Sequence, residues 1–194
     1  MAHENVEVEI KIPVVEKKFA GVKSRLAERA EFVKESRQSD EYFTPAHRNF
    51  VEPAFPSEWL SIRERGGKTI LNYKHWRPDN ADVKTHCDEY ETEVSDAARL
   101  RKLLDALDFR KLVTVEKKRL VYRVGNDFEI ALDEVAELGF FIEIEALKDF
   151  GGVEATREKL FEYAGELGLD ARKEFEKRGY PYMLMKKKGF VNLK

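Results

Sequence analysis

Apolar and polar positions alternate along several separate runs of this chain. Residues 6–12 read Val-Glu-Val-Glu-Ile-Lys-Ile, a strict period of two that predicts a strand. Val6, Val8, Ile10 and Ile12 make one face, Glu7, Glu9 and Lys11 the other, and Pro13 ends the run. Phe19, Val22, Leu26 and Val33 then recur at near-helical spacing and predict a helix over 14–34. A short strand is expected around Glu41-Tyr42-Phe43, followed by a long loop over 44–58 that contains Pro45, Pro53 and Pro56.

Gly66-Gly67 is a two-residue hairpin signal between strands 59–65 and 68–74. That turn sets residue 65 against 68, 63 against 70 and 59 against 74, and directly opposed residues share a face. Ser61, Arg63, Arg65, Lys68, Asn72 and Lys74 therefore lie together, with Leu60, Ile62, Leu71 and Tyr73 on the reverse. Residues 88–94 alternate again, with Glu89, Glu91 and Glu93 on one side. Ser95 is expected to cap a helix whose stripe is Leu100, Leu103, Leu104 and Leu107.

A second hairpin joins 113–124 to 128–133. A two-residue turn at Gly125-Asn126 sets Tyr122 against Glu129, whereas a three-residue loop pairs Val124 with Phe128, Tyr122 with Ile130 and Leu120 with Leu132. A one-residue slip exchanges the faces, so the apolar match decides for the longer loop. It places Lys117, Arg119, Arg123, Glu129 and Asp133 together. After Gly139, a last long strand alternates Phe140, Ile142, Ile144 and Ala146 with Phe141, Glu143, Glu145 and Leu147. A helix from Glu154 to Leu167 stops at Gly168, a short one is expected over 171–178, and Tyr180–Met185 is expected to add an edge strand. The sum is an α+β chain, one domain over 1–194, with about eight antiparallel strands that can close into a barrel and so lose their edges.

Composition sharpens this picture. Among 194 residues, Lys+Arg 35 stand against Asp+Glu 37, a net charge of -2, and charged residues make up 37%. An average globular domain carries roughly 25%. Charge is thus abundant yet nearly cancelled, which argues against a nucleic-acid binder with a basic excess. A hydrophobic content of 42%, with 13 Phe, suffices for a packed core. The single cysteine, Cys87, excludes an internal disulfide and makes a reducing cytoplasm the simplest home. Met1-Ala2-His3-Glu4 leads straight into the first strand, so no signal peptide is expected, and no apolar run suggests a membrane span. His3, His47, His75 and His86 show no metal-ligand spacing.

Nearly every strand has one apolar and one charged face. An antiparallel sheet with one wetted side explains that pattern. So does a curled sheet whose charges line a channel, where both signs are needed because unpaired buried charge is very unfavourable. Arginine and lysine in such a channel suit an anion with many oxygens. Carboxylates beside them repel a polyphosphate unless a divalent ion intervenes, and Mg²⁺ favours carboxylate together with phosphate oxygens.

At this point the sequence resembles a family. Glu7-Val8-Glu9-Ile10-Lys11 is similar to the Glu-x-Glu-x-Lys signature of the CYTH family, which joins class IV adenylate cyclases and thiamine triphosphatases among the triphosphate tunnel metalloenzymes. The likeness continues through Arg63-Glu64-Arg65, Asn72-Tyr73-Lys74, Glu89-Tyr90-Glu91-Thr92-Glu93, Lys117-Lys118-Arg119, Leu132-Asp133 and Leu138-Gly139-Phe140-Phe141-Ile142-Glu143-Ile144-Glu145. It implies an eight-stranded antiparallel barrel with helices outside, whose tunnel binds a triphosphate with Mg²⁺ or Mn²⁺. By the same resemblance Glu7, Glu9, Glu143 and Glu145 are metal-side carboxylates, joined by Glu91 and Asp133. Lys11, Arg63, Arg65, Lys74, Lys117 and Arg119 hold phosphate oxygens, and Glu9, Arg63, Asp133 and Glu145 carry the catalysis. Lys118 points to the opposite face by alternation and is left out. The implied activity is that of a class IV adenylate cyclase, with a triphosphatase for inorganic, thiamine or nucleoside triphosphate as the alternative. A non-catalytic polyphosphate-binding module is the third. The expected partner is a small triphosphate rather than nucleic acid or membrane, with a homodimer left open.

Overall fold

The computed structural model describes residues 6–79 and 81–190. The strands are β1 (Val6–Glu7), β2 (Glu9–Val14), β3 (Glu31–Pro45), β4 (Glu58–Arg65), β5 (Lys68–Arg77), β6 (His86–Val94), β7 (Phe109–Val124), β8 (Phe128–Val135) and β9 (Gly139–Ala146). The helices are α1 (Glu16–Arg29), α2 (Ala97–Ala106), α3 (Val153–Glu166), α4 (Ala171–Glu174) and α5 (Tyr180–Lys187). The strand order is β1-β6-β5-β4-β3-β7-β8-β9-β2. β1 and β2 stand at its two ends, yet only Val8 separates them along the chain. The α+β class and the antiparallel pairing are as expected, with nine strands in place of eight.

Two compact units divide the chain. One gathers Arg37–Glu116 with Val6 and the segment from Arg178 onward; the other gathers Glu7–Ser36 and Lys117–Lys177. They are called the first and second units below.

In the second unit two apolar rows cross four strands. Ile10, Ile144, Ile130 and Tyr122 are in register, as are Ile12, Ile142, Leu132 and Leu120. Val22 and Leu26 from α1, and Leu160, Phe161 and Ala164 from α3, join this core. Each fully buried Leu or Ile contributes about 1.5–3 kcal/mol, so the register is strongly fixed. Because side chains alternate along a strand, burying the isoleucines sends Glu9, Lys11, Glu143 and Glu145 to the opposite face.

The first unit repeats the scheme with a smaller core of Phe43, Ile62 and Leu104, against which Leu60, Leu71, Leu100 and Phe109 pack. Gly66 and Gly67 have φ of 59° and 82°, which a two-residue hairpin turn of the type I′ class requires. Both expected hairpin registers are found: Arg63 opposes Ile70, and Tyr122 opposes Ile130 across a three-residue loop.

Several expectations are corrected. The helix over 14–34 stops at Arg29, and Val33 belongs to β3. That strand runs for 15 residues rather than the three expected. Its polar stretch hides the period of two, since Gln38 and Asp40 are buried on one side while Ser39 and Glu41 are polar on the other. The loop shortens to 46–57 and is tied down where the Phe50 amide donates to Thr44 Oγ1 at 2.8 Å. Asp96, not Ser95, caps α2, accepting from the Arg99 amide at 2.8 Å. Of the α2 stripe, Leu104 is buried, but Leu103 and Leu107 are exposed. The short helix over 171–178 is only Ala171–Glu174. The tail is helix α5 rather than an edge strand. Pro181 sits in its first turn, where proline lacks no needed N–H, and short apolar runs do not distinguish strand from helix. The leader reading and His3 fall outside the described residues. Among those residues no helix is long and apolar enough to cross a membrane.

Candidate functional site

Two charged sheet faces carry the candidate chemistry, one in each unit. In the second unit the register sets Lys11 opposite Glu143, Glu9 opposite Glu145, and Arg119 opposite Asp133. Glu143 is the hub of this face. Lys11 Nζ lies 2.8 Å from its Oε1, and Arg119 Nη2 donates to its Oε2. Arg119 also grips Asp133 through two hydrogen bonds, Nε to Oδ1 at 2.7 Å and Nη2 to Oδ2 at 2.5 Å. Lys11, Lys117, Asp133 and Glu143 are buried, Asp133 completely. Burial pushes the Glu143 carboxyl up, yet Arg119, Lys11 and Lys117 outweigh it and hold the group well below the usual carboxylate range.

Glu9 and Glu145 are only half-buried. They stand abreast with Glu129, which is in register with Glu145 on the other side of β9. Lys11 Nζ is 3.7 Å from Glu9, and Arg123 Nη2 is 3.2 Å from Glu129. Glu7 is half-buried in β1. Lys118 is turned away to Glu35 at 2.9 Å, as alternation requires.

In the first unit the hub has the opposite sign. Arg63, buried in the middle of β4, donates from Nη1 to Glu91 Oε1 at 2.8 Å and to Glu89 Oε1 at 3.2 Å. Asn72, also buried, donates from its amide nitrogen to the same two oxygens, at 2.6 Å to Glu89 and 2.9 Å to Glu91. Lys74 Nζ is 3.5 Å from Glu89, and Arg65 Nη2 is 3.7 Å from Asp40. Burial disfavours the Arg63 charge, but Asp40, Tyr42, Glu89 and Glu91 overcome that and raise its pKa above the ordinary arginine value.

Of the residues expected from sequence, Lys11, Arg119, Asp133, Glu143 and Glu9 are joined in one set of contacts, with Lys117 acting on Glu143 through its charge. In the other unit Arg63 joins Glu91 directly and meets Lys74 at Glu89. Glu89, Asn72 and Asp40 escaped the sequence-based selection. Glu89 and Asn72 had the right face, and only their contacts mark them. Asp40 opposes Arg63 in register, a relation visible only once β3 is seen as a strand. His75 faces away from Lys74 and pairs with Asp79 at 2.7 Å. Lys186, Lys187 and Lys188 end α5 exposed.

Comparison with known proteins adds three findings. A family model described as the CYTH domain matches residues 5–180. A protein of Methanocaldococcus jannaschii that carries the provisional name adenylate cyclase is 30% identical over 166 residues, spanning 84% of this chain and 90% of that one. Among solved structures, a Pyrococcus horikoshii protein whose name states no activity shares 32% identity and superposes with a TM-score of 0.77, over 93% of this chain and 99% of its own. A Hippeastrum protein, provisionally called an adenylyl cyclase and described as having a dominant triphosphatase activity, has the same fold at 20% identity and a TM-score of 0.62, covering 98% of this chain and 99% of that one.

Proposed function

The chain belongs to the CYTH domain family, and from that premise we propose that it is a divalent-metal-dependent enzyme acting on a small triphosphate, in the first instance converting ATP to cyclic AMP and pyrophosphate. The observation that carries the proposal is the buried ion cluster around Glu143. Burying charges adds little to stability compared with a well-packed apolar cluster. A fold with ample isoleucine and leucine gains nothing by placing five ionic groups here unless they handle a charged ligand.

The donor set fits a divalent ion. Glu9 and Glu145 are directly opposed, a cross-strand pair of like charges that a cation steadies, and Lys11 Nζ already lies 3.7 Å from Glu9. Among the described residues no three acidic, histidine or cysteine side chains form a cage of their own. Mg²⁺ commonly takes one or two carboxylates and completes its shell with water and substrate phosphates. Glu9 and Glu145, with Glu7 and Glu143 of the same unit, are the side chains that would hold Mg²⁺ or Mn²⁺. The bound ion supplies charge neutralisation and a more acidic attacking oxygen.

The remaining work falls to the chain's own residues and is mostly positioning and electrostatics. Within the second unit Lys11, Lys117 and Arg119 are the partners for phosphate oxygens, and within the first Arg63, Arg65 and Lys74 form a basic set suited to the same group. Asp133 has both oxygens on Arg119, which supports a role in aiming that guanidinium. In the cyclase reaction the ribose 3′-oxygen bonds to the α-phosphorus, and the bridge oxygen departs with pyrophosphate. Half-buried Glu9 and Glu145 are candidates to receive the hydroxyl proton. With water as the attacker, the same site releases orthophosphate.

The name of the M. jannaschii relative favours cyclase chemistry, while the activity described for the Hippeastrum protein favours hydrolysis as the second reading. Incubation with Mg²⁺ or Mn²⁺ and, separately, ATP, inorganic triphosphate and thiamine triphosphate decides. Cyclic AMP with pyrophosphate is the expected result. Orthophosphate alone moves the assignment to a triphosphatase, and tight binding without turnover of any of the three refutes an enzyme.

A further inference from the structure

Glu89 and Glu91 sit two residues apart on one face of β6, and each offers Oε1 to two donors, Arg63 Nη1 and Asn72 Nδ2. One amide nitrogen and one guanidinium nitrogen thus serve the same pair of oxygens. An amide nitrogen has two N–H donors, and here both are committed to carboxylates. Asn72 is 1% exposed and Arg63 7%, so neither exchanges its partners freely for water.

This duplication has a consequence for Arg63. A phosphate oxygen drawing Arg63 away leaves two neighbouring carboxylates without its charge. Glu91, with a side chain 41% exposed, can turn to water, but Glu89 is more enclosed at 22% and has Lys74 at 3.5 Å, so releasing Arg63 without another fixed donor would carry a penalty chiefly at Glu89. With Asn72 in place, both oxygens keep a hydrogen bond when the guanidinium turns to a ligand. We propose that Asn72 is a positioning residue that frees Arg63 for phosphate by holding Glu89 and Glu91 in its stead.

The inference rests on the triphosphate reading, but its test is a binding measurement that needs no turnover. Affinity for a non-hydrolysable analogue of inorganic triphosphate is measured by calorimetry in the presence of Mg²⁺, for the full chain and for Asn72→Leu, Arg63→Ala and the double variant. Hydrogen bonds to charged groups are the strong class, so Asn72→Leu is expected to weaken binding about tenfold. Asn72→Ser, which keeps one donor, is expected to fall between, and it carries the test if the leucine variant fails to fold.

The deciding feature is coupling. Because Asn72 acts through Arg63, Asn72→Leu has no further effect once Arg63 is alanine. A residue that merely supports the sheet weakens binding equally in both backgrounds, and that additivity overturns the proposal, as does wild-type affinity in Asn72→Leu. Binding and coupling without turnover refute only the enzyme reading; turnover with additive effects refutes only the role of Asn72. A wild-type chain that binds no triphosphate overturns both.

Discussion

The two charged faces solve one problem with opposite signs. In the second unit a buried carboxylate, Glu143, is held between Lys11 and Arg119. In the first, a buried guanidinium, Arg63, is held between Glu89 and Glu91. Their titrations are displaced accordingly, Glu143 well below the carboxylate range and Arg63 above the arginine range. Each hub is fixed in its charged form by neighbours of the other sign. The difference lies in what a ligand releases. A phosphate group that draws Lys11 and Arg119 from the second face leaves Glu143, Glu9 and Asp133 without those charges. On the first face, drawing Arg63 away leaves Glu89 and Glu91, but the uncharged Asn72 still donates to both and Lys74 lies 3.5 Å from Glu89. Each carboxylate of the first hub therefore has a neutral donor beside its charged one.

Removing the second hub is the most direct way to break this contrast. Glu143→Ala leaves Lys11 and Arg119 buried without the carboxylate they share. Loss of one partner from a buried pair lowers stability by about 3–5 kcal/mol, and loss of one preorganised electrostatic contact in a site lowers turnover by about 10²–10³-fold. Metal-dependent turnover of triphosphate is expected to fall by at least that factor while the circular dichroism spectrum remains that of the wild type. Activity unchanged from wild type contradicts a catalytic or metal-side role for Glu143.

The first hub predicts a smaller effect, located in binding. Arg63→Ala is expected to weaken triphosphate affinity about 100-fold, since hydrogen bonds between charged groups contribute about 1.5–3 kcal/mol each. The control is Lys68→Ala on the same hairpin. Lys68 pairs with Glu93 at 2.8 Å, but its side chain is 64% exposed, and solvent-exposed pairs are worth about 0–1 kcal/mol. Equal losses in the two variants remove the distinction between hub and rim.

How much of this contrast is visible in the sequence differs between the units. In the second, rows of isoleucine and leucine alternate cleanly with Glu9, Lys11, Glu143 and Glu145, so period-two reading alone assigns the charged face. The hairpin to β8 is fixed by apolar matching, which brings Arg119 to Asp133. In the first, Gly66-Gly67 places Arg63, Asn72 and Lys74 together. Residues 34–40, however, are polar on both sides, so this part of β3 gives no alternation of hydrophobicity and Asp40 is lost with it. The hub itself is legible from neither pattern. Alternation assigns a residue to a face, but which of Glu89, Glu91 and Glu93 reaches Arg63 depends on side-chain reach and register across β5. Glu93 turns instead to Lys68 at the turn end of the hairpin.

Acid sharpens the contrast further, with the smallest effect of the three. The Glu143 carboxyl is held low in the folded chain and has its ordinary pKa of about 4.3 when unfolded. A depressed folded value contributes stability that is fully present above the unfolded pKa and is lost as pH falls through the folded one. Arg63 stays charged throughout that range in either state and contributes no such slope. Glu41, Asp79 and Glu158 are also held low by basic partners, Lys111 and Arg101 for the first, His75 and Arg77 for the second, Arg172 for the third. The slope of the whole protein therefore mixes several groups, and the informative quantity is a difference. Unfolding by urea is measured for the wild type and Glu143→Gln from pH 6 down to pH 3. The wild type is expected to be the more stable at pH 6, and the gap is expected to narrow steadily below about pH 4.3 as Glu143 of the unfolded chain takes up a proton that the folded chain still excludes. The other three carboxylates act alike in both chains and cancel. A gap that stays constant across the range contradicts a depressed Glu143 and with it the ionic hub of the second unit.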